Sequence, residues 1–238
     1  MSYSPESFES EFLSPRAETA TRATFLRKVY THVFASLLVM TGLVALFVNL
    51  FDAGMIQMIG QGWIAILFAF MAVSWIAQRM AQSRSSIGTQ YAGLGLYTLA
   101  EAVILTPLVW IAWNAFGEVG HQAVFQAAIL TLLVFGGLTA VVFFTGANFS
   151  FLRGFLTIAM ILAFGAILFA SWQGIDLGMW FAIAMVGLMA MTILYQTSEI
   201  RDEFPDDMYV AAALWLVSSI ATLFWYILRI LLMFASDD

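Results

Sequence analysis

Residues 209–234 read YVAAALWLVSSIATLFWYILRILLMF, twenty-six positions with a single charge, Arg229. As an α-helix this run is about 39 Å long, more than the roughly 30 Å of a bilayer's hydrocarbon core. Ser218, Thr222 and Tyr226 recur every four residues, with Arg229 three further on and Ser219 beside them, so they form a polar stripe along an apolar cylinder. A helix surrounded by lipid would not carry such a stripe. The run reads as a membrane span turned inward onto other helices.

Six more apolar runs of comparable length precede it, at 29–50, 63–78, 91–113, 123–144, 151–172 and 179–197. The linkers between them are too short for a soluble domain. The expected fold class is therefore all-α: one integral membrane domain, residues 29–238, built as a bundle of seven transmembrane helices. Composition agrees, since 62% of the 238 residues are apolar and 10% charged, against about a quarter charged in soluble domains. The mean hydropathy of +0.92 leaves an exterior that must face lipid.

Residues 1–28 are different: Glu6, Glu9, Glu11, Glu18, Arg16, Arg22, Arg27 and Lys28 stand among Ser and Thr. A cleaved signal peptide has a shorter apolar core closer to its start, so this segment reads as a polar, mobile cytoplasmic tail before a retained first helix. Orientation follows from the positive charges, which accumulate on the cytoplasmic side. Arg16, Arg22, Arg27, Lys28, Arg79, Arg84, Arg153 and Arg201 all fall on one side of a seven-span topology and only Arg229 on the other. That places the N-terminus in the cytoplasm and the C-terminus outside.

A net charge of −6, with no clustered basic surface, argues against nucleic acid as a partner. The chain has no cysteine, which removes thiolate metal sites and disulfides. His32 and His121 lack metal-ligand spacing. No zinc-protease motif, nucleophile elbow or phosphate-binding loop is present, so neither an enzyme, a metal centre nor a cofactor is expected. His32 reads as an interfacial histidine with its ring nitrogens satisfied, the alternative being a pH sensor.

Glu101 is the clearest candidate for function, because it lies ten residues into the third span, at about mid-membrane depth. Tyr97 and Thr98 share its face, and Pro107 follows as an expected kink. Its structural reading is a protonated acid hydrogen-bonded to a neighbouring helix; its functional reading is the acid of a transport path. Polar stripes also mark the sixth span (Thr192, Gln196, Glu199) and the second (Ser74, Gln78, Gln82). They suggest a hydrated interior, although interhelical hydrogen bonding explains Ser, Thr and Gln as well.

Several segments, in order, resemble the Bax inhibitor-1 (transmembrane Bax inhibitor motif) family, including its bacterial members. They are Arg27–Tyr30 (RKVY), Thr145–Leu156 (TGANFSFLRGFL), Leu194–Thr197 (LYQT), Phe204–Leu214 (FPDDMYVAAAL) and Phe224–Leu231 (FWYILRIL). The resemblance implies a bundle whose last helix is central and wrapped by the other six, in a bacterial inner (plasma) membrane. It further implies calcium leak, suppression of cell death and, in a bacterial branch, interaction with a membrane-bound protease. The family's leak is attributed to an aspartate pair in the sixth and seventh helices. This chain has Gln196 and Ser219 at those positions, and Asn148 where the loop motif usually has Asp. Neither Gln196 nor Ser219 titrates, so the paired-carboxylate switch cannot be built from them.

Two functional expectations follow. In the first, the chain is a cation leak or transport pathway, for calcium or protons, with Glu101 as central acid and Gln196, Ser219, Ser218, Thr222 and Arg229 along the route. The alternative to Glu101 as the acid is that Gln196 and Ser219 hydrogen-bond to each other and hold the sixth and seventh helices together, which predicts a closed or pH-insensitive path. In the second, it is a non-conducting regulator that binds a membrane protease or another membrane protein through its tail and the acidic segment Glu199, Asp202, Glu203, Asp206 and Asp207. The plainer alternative for that segment is that Asp206 or Asp207 caps the last helix and the rest is solvated.

Overall fold

The computed structural model describes residues 15–84 and 86–237. Among them are eight helices: α1 Pro15–Leu50, α2 Ala53–Gln61, α3 Trp63–Ala81, α4 Ile87–Ala115, α5 Gly117–Thr145, α6 Leu152–Gln173, α7 Gly178–Asp202 and α8 Tyr209–Asp237. All but α2 are long and apolar enough to cross a membrane, so the expected all-α bundle of seven spans is the fold observed. The helices overrun the apolar runs by a few residues at most ends. Hydropathy reports where a helix crosses hydrocarbon, whereas the backbone stays helical into the interface until a cap ends it.

Caps are visible at several ends. Asp52 accepts the Met55 amide at 2.8 Å to open α2, and Ser86 accepts the Thr89 amide at 3.3 Å to open α4. Gly146 and Gly174 close α5 and α6 in the left-handed region, φ 64° and 68°, where a side chain would be strained.

Two expectations need correction. The linker 51–62, expected only as a short connection between spans, contains α2, which buries none of its residues. Met55, Met58 and Ile59 lie on one face of α2 and Gln57 and Gln61 on the other, the pattern of a helix lying in the membrane interface. The tail expected over 1–28 falls, for residues 1–14, outside the described residues. From Pro15 onward it is part of α1, and Phe25 is fully buried. Charge made this stretch look like tail, yet its charged residues lie along a continuous helix whose Phe25 and Val29 face the core.

The odd-numbered spans begin at one end of the bundle: α1, α4, α6 and α8 start there, and α3, α5 and α7 finish there. That basic end holds Arg22, Arg79, Arg84, Arg153 and Arg201; the opposite, far end holds Arg229. α8 is central, packing against α1, α3, α4, α5 and α7, with an unbroken buried stretch from Val210 to Leu214. α6 departs from the expected wrapping. It lies against α7 and buries only Leu156 and Ala170. Its sequence has no polar stripe to hide, so lipid suits nearly its whole circumference.

α3 and α4 approach closely at Gly93. A Cβ there would stand 2.5 Å from the Ala77 carbonyl oxygen and 2.6 Å from the Ala81 amide nitrogen, so the absence of a side chain sets the distance between the two backbones.

Candidate functional site

Glu101 sits at the midpoint of α4, fourteen residues from each end. It is 5% exposed, and Tyr97, Thr98, Ala102 and Leu105 are buried around it. The four-residue spacing that places Tyr97 on the same face is used directly: its hydroxyl donates to Glu101 Oε2 at 2.7 Å. The Tyr97 ring packs on Phe70 of α3, 6.2 Å between centroids, which fixes the phenol. Ser218 of the central helix stands beside the Tyr97 hydroxyl, so Glu101, Tyr97 and Ser218 form one polar group between α4 and α8. Thr98 and Thr106 give their hydroxyls to the Leu94 and Ala102 carbonyls of their own helix, and α4 continues through Pro107. Among the described residues Glu101 has no ion-pair partner, the three ion pairs all using other acids.

The remaining candidates do not all join this group. Ser218 and Thr222 bond to the Trp215 and Ser218 carbonyls at 2.7 and 2.9 Å, which satisfies them within α8. Arg229 pairs with Asp176 at 2.8 Å. It lies eleven residues beyond Ser218, roughly 16 Å along the helix, and so belongs to the far end. Gln196 and Ser219 are both buried, but the expected bond between them is not made through the amide oxygen, because Gln196 Oε1 has no hydrogen-bond partner. A buried orphan carbonyl costs free energy, so this position is held by packing rather than by a polar latch. The second-span stripe is not internal either: Ser74 is buried, whereas Gln78 and Gln82 are exposed.

His32 is satisfied at both ring nitrogens, Nδ1 against the Lys28 carbonyl at 2.7 Å and Nε2 against the Tyr91 hydroxyl at 2.9 Å. Tyr91 in turn meets the Tyr209 hydroxyl at 3.3 Å, so α1, α4 and α8 are joined at the basic end.

Two arginine clamps at that end have no counterpart among the sequence motifs. Arg22 donates to the carbonyls of Ile200, Arg201 and Phe204 at 2.5, 2.8 and 2.6 Å and to Asp206 Oδ1 at 2.5 Å. It thereby occupies the orphan carbonyls at the end of α7. Arg201 does the same for α5, donating to Val142, and to Gly146 and Ala147 at 3.1 Å each, while pairing with Asp202 at 2.6 Å. Cations at helix C-termini also complement the macrodipole. Beside them the Phe149 amide donates to Ser198 Oγ at 3.2 Å. Asp206, expected as a cap or a contact surface, is therefore committed to Arg22.

Seven membrane-length helices, one of them central with a buried acid against it, define a polytopic integral membrane protein. The chain belongs to the Bax inhibitor-1 family: the family profile described as "Inhibitor of apoptosis-promoting Bax1" matches residues 22–236. It is also 36% identical over 121 residues to the uncharacterized protein PA2604 of Pseudomonas aeruginosa, a match covering 50% of this chain and 54% of that protein. The chain thus aligns with about half the length of that relative.

Proposed function

We propose that this membrane protein is a cation pathway whose central acid is Glu101 and whose permeating ion is the proton. One observation carries the reading: a carboxyl buried at mid-helix, without a basic partner among the described residues, is hydrogen-bonded to a tyrosine that reaches the central helix. Ionisable groups at membrane depth are costly and are retained where they bind or pass charge. A proton needs only such a donor and acceptor chain. Calcium takes six to eight oxygens, and Glu101 with Tyr97 and Ser218 supplies too few. The gathering of eight of the nine Lys and Arg residues at one end supports a cytoplasmic N-terminus, and the bacterial relative supports a bacterial inner membrane.

The test is flux into liposomes containing the purified protein, read with a pH-sensitive and a calcium-sensitive dye. Proton flux in the native chain, lost in Glu101→Gln, supports the proposal. Calcium flux without proton flux overturns the choice of ion, and no flux of either kind ends the pathway reading.

The open flank of α6 favours a second reading, a non-conducting regulator that docks another membrane protein such as a protease. Phe155, Ile158, Ile161 and Leu162 face outward along it. The acidic segment supports this less, since Asp202 and Asp206 are held by Arg201 and Arg22. Crosslinking from α6 in intact membranes, followed by identification of the partner, distinguishes the two: a pathway alone yields only lipid adducts.

A further inference from the structure

A cavity of about 400 Å³ lies between α1, α4, α5 and α8, in the half of the bundle toward the far end. Its size is within the roughly 300–1,000 Å³ of small-molecule sites. The lining is apolar except for Thr41, Asn49 and Thr131, and each of these gives its donor to its own helix, at Leu37, Ala45 and Ala127. Such walls give an inorganic ion few oxygens to replace its water, while an alkyl chain gains contact over most of their length.

The cavity's inner end is defined on two walls. Leu105 lines it from α4, one turn beyond Glu101, and Ala221 lines it from α8, one turn beyond Ser218. None of Glu101, Tyr97 and Ser218 lines the space itself; their group lies about one helical turn beneath its inner end, and Glu101 is the acid there without an ion-pair partner among the described residues.

We propose that this cavity is a binding site for a lipophilic amine, its alkyl chain between α1 and α5 and its protonated head at Glu101. The chain supplies apolar burial, and the ammonium supplies the counter-charge that a buried carboxylate otherwise lacks. An uncharged chain of equal length gains only the first contribution, so the site discriminates by charge rather than by shape. This inference does not rest on proton passage, because occupancy is read directly.

The experiment uses the full chain in lipid nanodiscs and two photoreactive probes, dodecylamine and dodecanol, each with a diazirine on the chain. After irradiation, adducts are mapped by mass spectrometry. The amine should label the peptides containing Leu37 to Asn49 and Val124 to Leu132 more than the alcohol does, by about five-fold for one ion pair of modest strength. Glu101→Gln should lower amine labelling to the alcohol's level. Ala128→Phe, which fills the cavity and leaves Glu101 in place, should suppress both probes. Equal labelling by amine and alcohol, or amine labelling unchanged in Glu101→Gln, overturns the proposal, as does the absence of cavity adducts when adducts form elsewhere on the chain. Should Glu101→Gln fail to fold, the amine-to-alcohol ratio in the native chain and in Ala128→Phe still decides. Labelling without proton flux leaves this site standing and removes the pathway; flux without labelling does the reverse.

Discussion

At the basic end, two arginines hold the carbonyl ends of α7 and α5, and a His–Tyr–Tyr chain joins α1, α4 and α8. At the far end, the comparable ion pair, Arg229 to Asp176, is half in solvent, the Asp176 side chain being 70% exposed, and the helices part around a cavity. Aromatic contacts do much of the work there: Trp63 stacks on Trp225 at 5.9 Å, and Trp110 Nε1 donates to the Phe51 carbonyl at 2.9 Å. The difference teaches that the positive charges are structural as well as topological. Arginine used as a carbonyl fork ties elements together at one end, and the other end, tied by rings and by one exposed pair, keeps room beside the buried acid.

The largest effect should come from Arg22→Ala, which strips several partly buried charge-assisted bonds at once. A loss of about 3 kcal/mol is expected, corresponding to roughly 6–12 °C in melting temperature for a chain of this size, read by tryptophan fluorescence in detergent. Arg22→Lys should recover less than half of it, because the three donors of one ammonium nitrogen cannot span the separate carbonyls and Asp206 that the wider guanidinium reaches. A full recovery by lysine would mean that charge alone matters at this end. Arg22→Ala and Arg201→Ala should also combine non-additively, since both guanidinium groups act on Asp202.

Between the two ends, Tyr97→Phe deletes the donor to Glu101 and leaves a buried carboxyl oxygen without it, at an expected cost of about 2 kcal/mol. If conduction runs through this group, flux falls as well, which a purely structural hydroxyl would not produce. Gly93→Ala should cost about 1–3 kcal/mol by overpacking, because its Cβ would press on backbone atoms of α3 that cannot swing aside. Neutral behaviour in a melting curve would mean that α3 shifts as a body.

Much of this architecture was legible because a membrane leaves few choices. Runs of apolar length had to be helices, and the alternation of positive charge fixed which ends lie together. That Tyr97 shares a face with Glu101 was legible too, from spacing alone, but the expected partner was a neighbouring helix and the bond is made within α4. The arginine clamps were not, since their acceptors are main-chain carbonyls 178–182 positions from Arg22, and a side-chain pattern says nothing about which helix end is open. The same charges made residues 15–28 look like a tail when they are the first turns of α1. The α2 helix was hidden by shortness, and the Gln196–Ser219 latch failed because two polar positions on adjacent helices do not fix side-chain direction.

The smallest effect should be at the far end, where Asp176→Asn removes the partner of Arg229. Exposed pairs of this kind contribute about 0–1 kcal/mol, so melting should move little and less still in high salt, where screening already weakens the pair. Asp176 has a second task, its Oδ1 accepting the Gly178 amide at 2.5 Å, and asparagine keeps a carbonyl able to do this. Asp176→Asn therefore isolates the charge, and Asp176→Ala adds the loss of the turn before α7. If Asp176→Asn proved as damaging as Arg22→Ala, the far end would be held electrostatically after all, and the contrast between a tied end and an open one would fail.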